Sequence, residues 1–207
     1  MNEIIYQLEE ADAVRAGSLL ARAFLDEPVF AATLPDPADR LDCCQALFTA
    51  NIRHACTFGE AWAIGTESHT MLGVAYWVLK PEPELTDEQA TAFGFTTVME
   101  KWGAQLEPIG QVEGAALASL AYLPTPWRYL AGIGVEPEFH RQGLGTLLLE
   151  KLLADAHAAN LAYALTTDRE SNVSLYERVG FTTVEHQQTS TLGIPFWAMA
   201  TQPPTNR

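Results

Sequence analysis

Apolar residues follow two different periods along the chain, and together these predict a mixed α/β protein. They recur at three- and four-residue spacing over residues 11–25, 39–57 and 144–158, as in helices that bury one face. Shorter alternating or wholly apolar runs favour strands. These runs cover residues 3–8, 60–66, 70–79, 127–135, 161–167, 181–187 and 191–200. The run at 74–78 is apolar throughout, which predicts a central strand.

Proline and glycine divide the remaining segments. The run Asp26-Glu27-Pro28 ends the first helix, and residues 29–34 predict a short second one. Two further helices, at about 87–105 and 108–120, are predicted as an insert before the strand at 127–135. Residues 172–179 favour a short helix with Gly180 as its C-cap. The chain, residues 1–207, is predicted to form one domain.

A glycine-bearing loop precedes the helix at 144–158. Gly143 and Gly145 lack Cβ atoms, so a ligand can approach the backbone closely there. A helix N-terminus presents unpaired N–H groups and a partial positive charge, which suits phosphate oxygens. A dinucleotide fingerprint would need a small residue where Leu148 stands, and the sequence contains no Gly-Lys-Ser/Thr run of a P-loop. An ordinary strand–helix connection stays the alternative to a phosphate site.

The charge balance narrows the choice of partners. The 207 residues carry a net charge of -14, with 48% hydrophobic and 18% charged residues, which is typical of a soluble globular protein. The sequence shows no basic patch, so nucleic acid is not expected as a partner. Its apolar runs are too short to span a membrane. An acidic surface favours cationic small molecules, and it makes a local donor such as Arg141 more valuable to a bound phosphate.

The cysteines Cys43, Cys44 and Cys56 form an odd, sparse set without metal-ligand spacing. This favours reduced thiols in a cytoplasmic protein. A cluster of these cysteines with His54 is conceivable, but buried or surface thiols explain them more simply, and no metal site is predicted. The N-terminus has neither a basic start nor an apolar run, so no signal peptide is expected.

Two motifs carry a resemblance to a known family. Residues 140–145 are similar to motif A of the GNAT N-acetyltransferases, Q/R-x-x-G-x-G/A, with His140 where the family has Gln or Arg. Residues 172–181 resemble motif B, N-x-x-x-Y-E-x-x-G-F, and follow motif A after one helix and one strand, in the family's order. A looser similarity over residues 23–28, the third strand, the helical insert and residues 130–135 points to the puromycin N-acetyltransferase-like subgroup.

The resemblance implies the GNAT acyl-CoA N-acyltransferase fold. This fold has a central, mostly antiparallel mixed sheet of six to seven strands flanked by helices, here with a helical insert before the fourth strand. Motif A would span about 130–158 and motif B about 161–187. The implied activity is transfer of acetyl from acetyl-CoA, as cosubstrate, to the amine of a small molecule through a ternary complex. The acceptor could be antibiotic-like or polyamine-like, and the protein a monomer or homodimer.

The resemblance also assigns roles to residues. The backbones of Ile133, Gly134 and Val135 would lie along the pantetheine, with an amide near Val135 polarising the thioester carbonyl. Tyr176 matches the family's general acid, which protonates the departing thiolate, and it is also expected to contact the cofactor. Asn172 would cap its helix and contact the cofactor. The residues expected at the pyrophosphate are His140, Arg141, Gln142, Gly143, Leu144, Gly145 and Thr146.

Several alternatives stay open at this point. A packed aromatic residue would explain Tyr176 as well, and a simple helix cap would explain Asn172. The general base is not identified: Asp26, Glu27 and Glu113 are candidates that border the acceptor cleft, and the amine could also lose its proton through water. The competing functions are acetylation of a peptide or protein N-terminus, and a non-catalytic acyl-CoA-binding module.

Overall fold

The seven strands in the described part of the chain belong to one sheet. A computed structural model describes residues 3–159 and 161–201, with the side chains of 155–159 left out. The strands are β1 Glu3–Gln7, β2 Gly59–Thr66, β3 Met71–Lys80, β4 Trp127–Val135, β5 Tyr163–Thr167, β6 Thr182–Gln188 and β7 Pro195–Ala200. Their order is β1-β2-β3-β4-β5-β7-β6, and only β4 and β5 pair in parallel. The prediction of a mixed, mostly antiparallel sheet is therefore confirmed.

Helices cover both faces of the sheet. They are α1 Ala13–Ala23, α2 Pro28–Thr33, α3 Pro37–Phe58, α4 Asp87–Phe93, α5 Phe95–Trp102, α6 Leu106–Ala118, α7 Leu144–Ala159 and α8 Glu170–Arg178. Helices α1, α3, α5 and α6 contribute to one apolar core, and α7 and α8 contribute to the other. Along β3, Tyr76 and Val78 join the first core while Ala75 and Trp77 join the second. This double burial explains why β3 is apolar throughout.

The helical insert differs in detail from the prediction. A single helix was expected at about 87–105, but Gly94 adopts a left-handed φ of +98° and separates α4 from α5. Gly94 donates its N–H to the carbonyls of Ala90 and Thr91, so it closes α4 as a C-cap. Among the described residues, no helix combines the length and hydropathy needed to cross a bilayer.

The two central parallel strands separate partway along their length. Pairing between β4 and β5 covers only Arg128 to Leu130, although β4 continues to Val135. On the other edge of β4, the register with β3 shifts between Tyr76 and Trp77, which leaves Ala131 as an extra residue. A bulge of this kind bends a strand and increases its twist. The sheet therefore opens between β4 and β5 from Ala131 onward.

Candidate active site

A cleft of about 1400 Å³ lies where β4 and β5 separate. Its walls come from the free edge of β4, the loop at 140–146, α8, the α1–α2 connection and α6. It brings together all of the sequence-predicted site residues except Gln142. These are Asp26, Glu27, Glu113, Ile133, Gly134, Val135, His140, Arg141, Gly143, Leu144, Gly145, Thr146, Asn172 and Tyr176. Residues more than 140 positions apart thus share one cavity.

The loop at 140–146 leaves backbone donors unpaired. Gly143 is the N-cap of α7, since its carbonyl accepts the N–H of Leu147 at 3.0 Å. The N–H groups of the first helical turn, from Leu144 to Thr146, have no intrahelical acceptor. Gly143 has φ +83°, and a Cβ built on it would meet no protein atom within 4 Å. The loop therefore offers donors around open space, an arrangement that suits a phosphate group.

His140 links this loop to β4. Its Nε2 lies 2.9 Å from the carbonyl oxygen of Val135. The next residue, Glu136, donates its N–H in the opposite direction, to Leu72 of β3 at 2.8 Å. Because successive peptide groups of a strand point to opposite edges, the N–H groups of Ile133 and Val135 face the gap. The free edge of β4 can therefore bind an extended ligand as an added strand would.

Close packing explains why β4 contains glycine at positions 132 and 134. A Cβ on Gly132 would lie 2.4 Å from Cε1 of Tyr76, and one on Gly134 would lie 2.8 Å from the Cβ of Ala23 on α1. Both values are far inside van der Waals contact. The Gly-Ile-Gly pattern thus lets Tyr76 and α1 pack closely against β4. The backbone of β4 remains available along the edge that faces the gap.

Motif B is a helix end that fixes Tyr176. Phe181 donates its N–H to the carbonyl of Tyr176 at 3.1 Å, and Gly180 donates to that of Glu177 at 3.1 Å, while Gly180 has φ +104°. This is a Schellman motif, in which glycine supplies the left-handed residue. The rings of Tyr176 and Phe181 lie 6.0 Å apart at 70°. Gly180 thus closes α8 as predicted, and the last two residues of the motif hold Tyr176 in place.

The expected N-cap role of Asn172 is wrong. Helix α8 begins at Glu170 with Arg169 as its N-cap, and the N–H of Asn172 already donates to the carbonyl of Arg169 at 3.0 Å. Asn172 therefore lies inside the first turn. Its Nδ2 is 3.5 Å from Oγ1 of Thr167, a weak contact, and its side chain borders the cleft.

Glu27 lies in a charged group that the sequence did not reveal. Nε of Arg169 donates to its Oε1 at 2.7 Å, and the charge of the neighbouring Asp168 carboxyl also acts on it. Burial, reinforced by Asp168 and opposed by Arg169, raises the pKa of Glu27 to about 8. Its side chain is 15% exposed, whereas that of Asp26 is 86% exposed. Asp168 and Arg169 directly follow β5 in the sequence, but only the folded structure shows that they lie beside Glu27.

The Tyr176 hydroxyl lies near the same group. Burial, and then the charges of Glu27 and Asp168, raise the pKa of Tyr176 above its ordinary value of 10.0. Only 6% of the residue is exposed, and the hydrogen bonds within the described residues do not use its hydroxyl. An acid and a base candidate therefore line the same cleft and influence each other electrostatically.

The far end of the cleft lies under α6. Tyr129 bonds Oγ1 of Thr166 at 2.7 Å, and Tyr76 accepts a hydrogen bond from Asn51 at 3.2 Å. Glu113 of α6 lines this end and stays accessible from the cavity. Loss of solvation raises the pKa of Glu113, against the attraction of Lys80. This end combines aromatic walls with a carboxyl group.

Cys43, Cys44 and His54 are packed in the protein interior. Cys43 and Cys44 are buried on α3, and burial raises the pKa of the Cys44 thiol to about 12. The His54 ring lies 3.5 Å from a Glu82 carboxylate oxygen and contacts the rings of Phe58 and Phe93. Within residues 3–159 and 161–201, no three His, Cys, Asp or Glu side chains converge as metal ligands. The cytoplasmic location stays a prediction.

Comparison with known proteins defines the family. Residues 62–181 match the model described as "Acetyltransferase (GNAT) family", so the chain belongs to that family. The matched segment covers β4, the loop at 140–146 and α8, which form most of the cleft.

Solved structures share the fold at low identity. The structure titled histone acetyltransferase HPA2 and related acetyltransferase, from Corynebacterium glutamicum, is 20% identical with a TM-score of 0.69, and the match covers 100% of this chain and 99% of that one. A Drosophila melanogaster polyamine N-acetyltransferase is 16% identical at TM-score 0.67, covering 96% and 99%. The Escherichia coli ribosomal-protein-S18-alanine N-acetyltransferase is 16% identical at TM-score 0.58, covering 100% and 97%.

Proposed function

We propose that this protein is an acetyl-CoA-dependent N-acetyltransferase that acts on the amine of a small molecule by direct transfer in a ternary complex. One observation carries the proposal. The cleft between the separating strands has unpaired backbone donors at one end and two ionisable groups, Glu27 and Tyr176, along its wall. The similarity to the puromycin N-acetyltransferase-like subgroup remains a prediction within this proposal.

The cosubstrate fits the residues present. The N–H groups of Leu144, Gly145 and Thr146 would hold the pyrophosphate in the open space beside Gly143, with Arg141 adding a charged donor. The gap-facing peptides of Ile133 and Val135 would bind the pantetheine amides. Acetyl-CoA supplies an activated acyl group as a thioester. The N–H near Val135 then stabilises the charge that develops on the carbonyl oxygen.

Glu27 is the base that the site supports best among the three candidates. A base needs a pKa near the working pH and a position in the cleft, and Glu27 has both. Asp26 is largely exposed, and its backbone carbonyl serves as an acceptor for Arg169. Glu113 lies on α6 at the far end of the cleft, so it is better placed to contact the body of the acceptor than its reacting amine.

Tyr176 is the proposed acid. A phenol with pKa about 10 donating to a thiolate with pKa about 8.5 is uphill by roughly 2 kcal/mol. The neighbouring carboxylates make this donation harder, because they raise the pKa of Tyr176. When Glu27 accepts the amine proton it loses its charge, so the pKa of Tyr176 falls at the moment when the acid is needed. Proton uptake at Glu27 therefore assists proton release from Tyr176.

The acceptor is a small cation. The far end of the cleft is lined by Glu113 of α6 and by Tyr76 and Tyr129, and the chain as a whole is acidic. These groups favour an amine with a second polar or cationic part, such as a polyamine-like compound. One of the structurally similar proteins is described as a polyamine N-acetyltransferase, which is consistent with a polyamine-like acceptor. Helix α6 forms a wall of the cleft, which favours a compact acceptor over a peptide.

Turnover with a panel of amines tests the proposal. The purified protein should release free thiol from acetyl-CoA only when an amine is present, and mass spectrometry should find one acetyl group on that amine. Calorimetry with CoA alone provides the second measurement. Tight CoA binding without turnover on any amine would favour a non-catalytic acyl-CoA-binding module, and turnover only with peptides would favour N-terminal acetylation.

A further inference from the structure

We propose that Asp168 and Arg169 are positioning residues with opposite effects on Glu27, so that this adjacent pair sets the pH at which acetyl transfer begins. Asp168 holds a proton on the Glu27 carboxyl, and Arg169 favours its release. The inference rests on the proposed function, and in particular on Glu27 as the base.

Three contacts join the pair to the α1–α2 connection and the first turn of α2. Oδ2 of Asp168 accepts the N–H of Val29 at 3.0 Å. Nε of Arg169 donates to Oε1 of Glu27 at 2.7 Å, and its Nη2 donates to the carbonyl of Asp26. The connection between α1 and α2 is thereby held against the end of β5, so the Glu27 carboxyl has a fixed place on the cleft wall.

The Arg169 contacts fix Asp26 and Glu27, and Asp168 accepts the N–H of Val29, a bond that an uncharged side-chain oxygen could also accept. Asp168 places a like charge against Glu27 at a largely buried position, which destabilises the ionised pair. An unfavourable contact of this kind in a cleft is typical of a site whose proton affinity has been adjusted for chemistry.

Few other charges bear on Glu27. Tyr176 of α8 lines the same cleft, and burial together with the charges of Glu27 and Asp168 raises its pKa, so it is neutral at working pH. Asp26 is directed to solvent, where its carboxylate lies 3.7 Å from the Arg40 guanidinium. Arg40 itself is buried. Its guanidinium donates to the carbonyls of Leu25 and Leu34, which follow the C-terminal ends of α1 and α2. Within the described chain, Arg169 is therefore the charged side chain bonded to Glu27, and Asp168, the residue before it, is the other charged side chain that acts on Glu27.

The pair makes predictions of opposite sign. Asp168→Asn removes the like charge and keeps an oxygen that can accept the Val29 N–H. Arg169→Gln removes the cation, and Arg169→Lys restores it. The measurement is the pH profile of kcat with one acceptor throughout, so the acceptor's own titration is common to all variants. Single-turnover rates replace kcat if product release limits the wild type.

We expect the rising limb of the profile to move to lower pH in Asp168→Asn and to higher pH in Arg169→Gln, each by about one unit. Arg169→Lys should restore the wild-type limb, and the double variant Asp168→Asn/Arg169→Gln should return toward it. Glu170→Gln removes an exposed charge next to the pair and is the matched control, with an unmoved limb.

The outcomes separate the two proposals. If the wild type acetylates no amine, the proposed function fails. If the wild type is active but the limb stays fixed in both single variants, or moves in the same direction in both, the inference about the pair is overturned. A purely structural role would lower the amount of folded protein, or kcat at all pH values, without moving the limb. If one variant folds poorly, the other is read alone against the wild type: a limb that stays fixed or moves opposite to its expected direction overturns the inference.

Discussion

Tyr176 and Phe181 form the two ends of the Schellman motif that closes α8, with their rings 6.0 Å apart at 70°. The helix end fixes the backbone and the ring contact fixes the side chain. The pattern Y-E-x-x-G-F thus orients the Tyr176 side chain. The ring makes the packing contact with Phe181, so the hydroxyl is available for proton transfer.

Tyr176→Phe should therefore lower kcat while preserving the fold. Removing a general acid costs on the order of 10²–10⁴ in rate. CoA affinity should change little, since a transition-state interaction is lost and a ground-state one is not. Steady-state and single-turnover kinetics measure the first, and calorimetry the second. Tyr122→Phe, at an exposed tyrosine outside the cleft, is the control. A folded Tyr176→Phe variant with wild-type single-turnover rates would remove Tyr176 as the acid.

Gly143→Val should weaken CoA binding sharply. Its branched side chain would occupy the open space beside the loop donors, at a residue with φ +83°. Gly193→Val is a matched control, because Gly193 also has a positive φ, +64°, and an open Cβ direction, but lies in the β6–β7 turn outside the cleft. Both variants should lose similar stability from backbone strain, of about 1–2 kcal/mol. Equal CoA affinity in the two folded variants would place the cofactor elsewhere.

His140 should tolerate glutamine better than alanine. A glutamine side chain keeps an N–H donor for the Val135 carbonyl and restores the usual residue of motif A, so His140→Gln should bind CoA as well as the wild type or slightly better. His140→Ala breaks the link between loop and strand, and a lost hydrogen bond of about 1 kcal/mol corresponds to roughly fivefold weaker binding. Calorimetry distinguishes the two. A large loss in both would mean that the imidazole contributes more than this donor.

Stability should fall as pH rises through the titration of Glu27. Its pKa is raised from 4.5 to about 8, so between these values the folded protein holds a proton that the unfolded chain releases. The proton-binding difference then favours unfolding increasingly as pH rises. Glu27→Gln cannot titrate, so from pH 5 to 8 it should gain on the order of 2–4 kcal/mol relative to the wild type. Chemical denaturation across this range measures the effect.

The control for this prediction is Glu138→Gln, at an exposed carboxyl group beside the 140–146 loop. Its stability should follow the wild-type pH dependence. If Glu27→Gln also follows the wild type in parallel, the Glu27 carboxyl does not hold a proton at neutral pH in the folded protein.

Periodic and local features were predictable from the sequence. The strand at 127–135, the helix that follows the glycine loop and the C-cap at Gly180 depend on neighbouring residues, and each is found in the structure. The break at Gly94 was missed because one glycine within a helical pattern is often tolerated. The start of α8 was misplaced because Asn172 is a good cap by type, whereas Arg169 takes that position.

Electrostatic contacts between residues distant in the sequence could not be predicted from periodicity or local motifs. Glu27 and Arg169 are 142 residues apart, and charged residues after a strand carry no periodic signal. The sequence could name Glu27 as one of three carboxyl candidates, but it could not separate it from Asp26, its exposed neighbour. Burial and partners make that distinction, and they exist only after the α1–α2 connection has packed against the end of β5. The single-domain organisation and the oligomeric state stay predictions.

The decisive experiment is a crystal structure of the protein with CoA and an accepted amine. We expect the pyrophosphate at the N–H groups of residues 143–146, the pantetheine along Ile133 to Val135 in the gap between β4 and β5, and the thiol near the Tyr176 hydroxyl. The reacting nitrogen should lie within hydrogen-bond reach of Glu27, directly or through one water. A cofactor bound outside this gap, or an amine that approaches the thiol away from both Glu27 and Tyr176, would overturn the proposed mechanism.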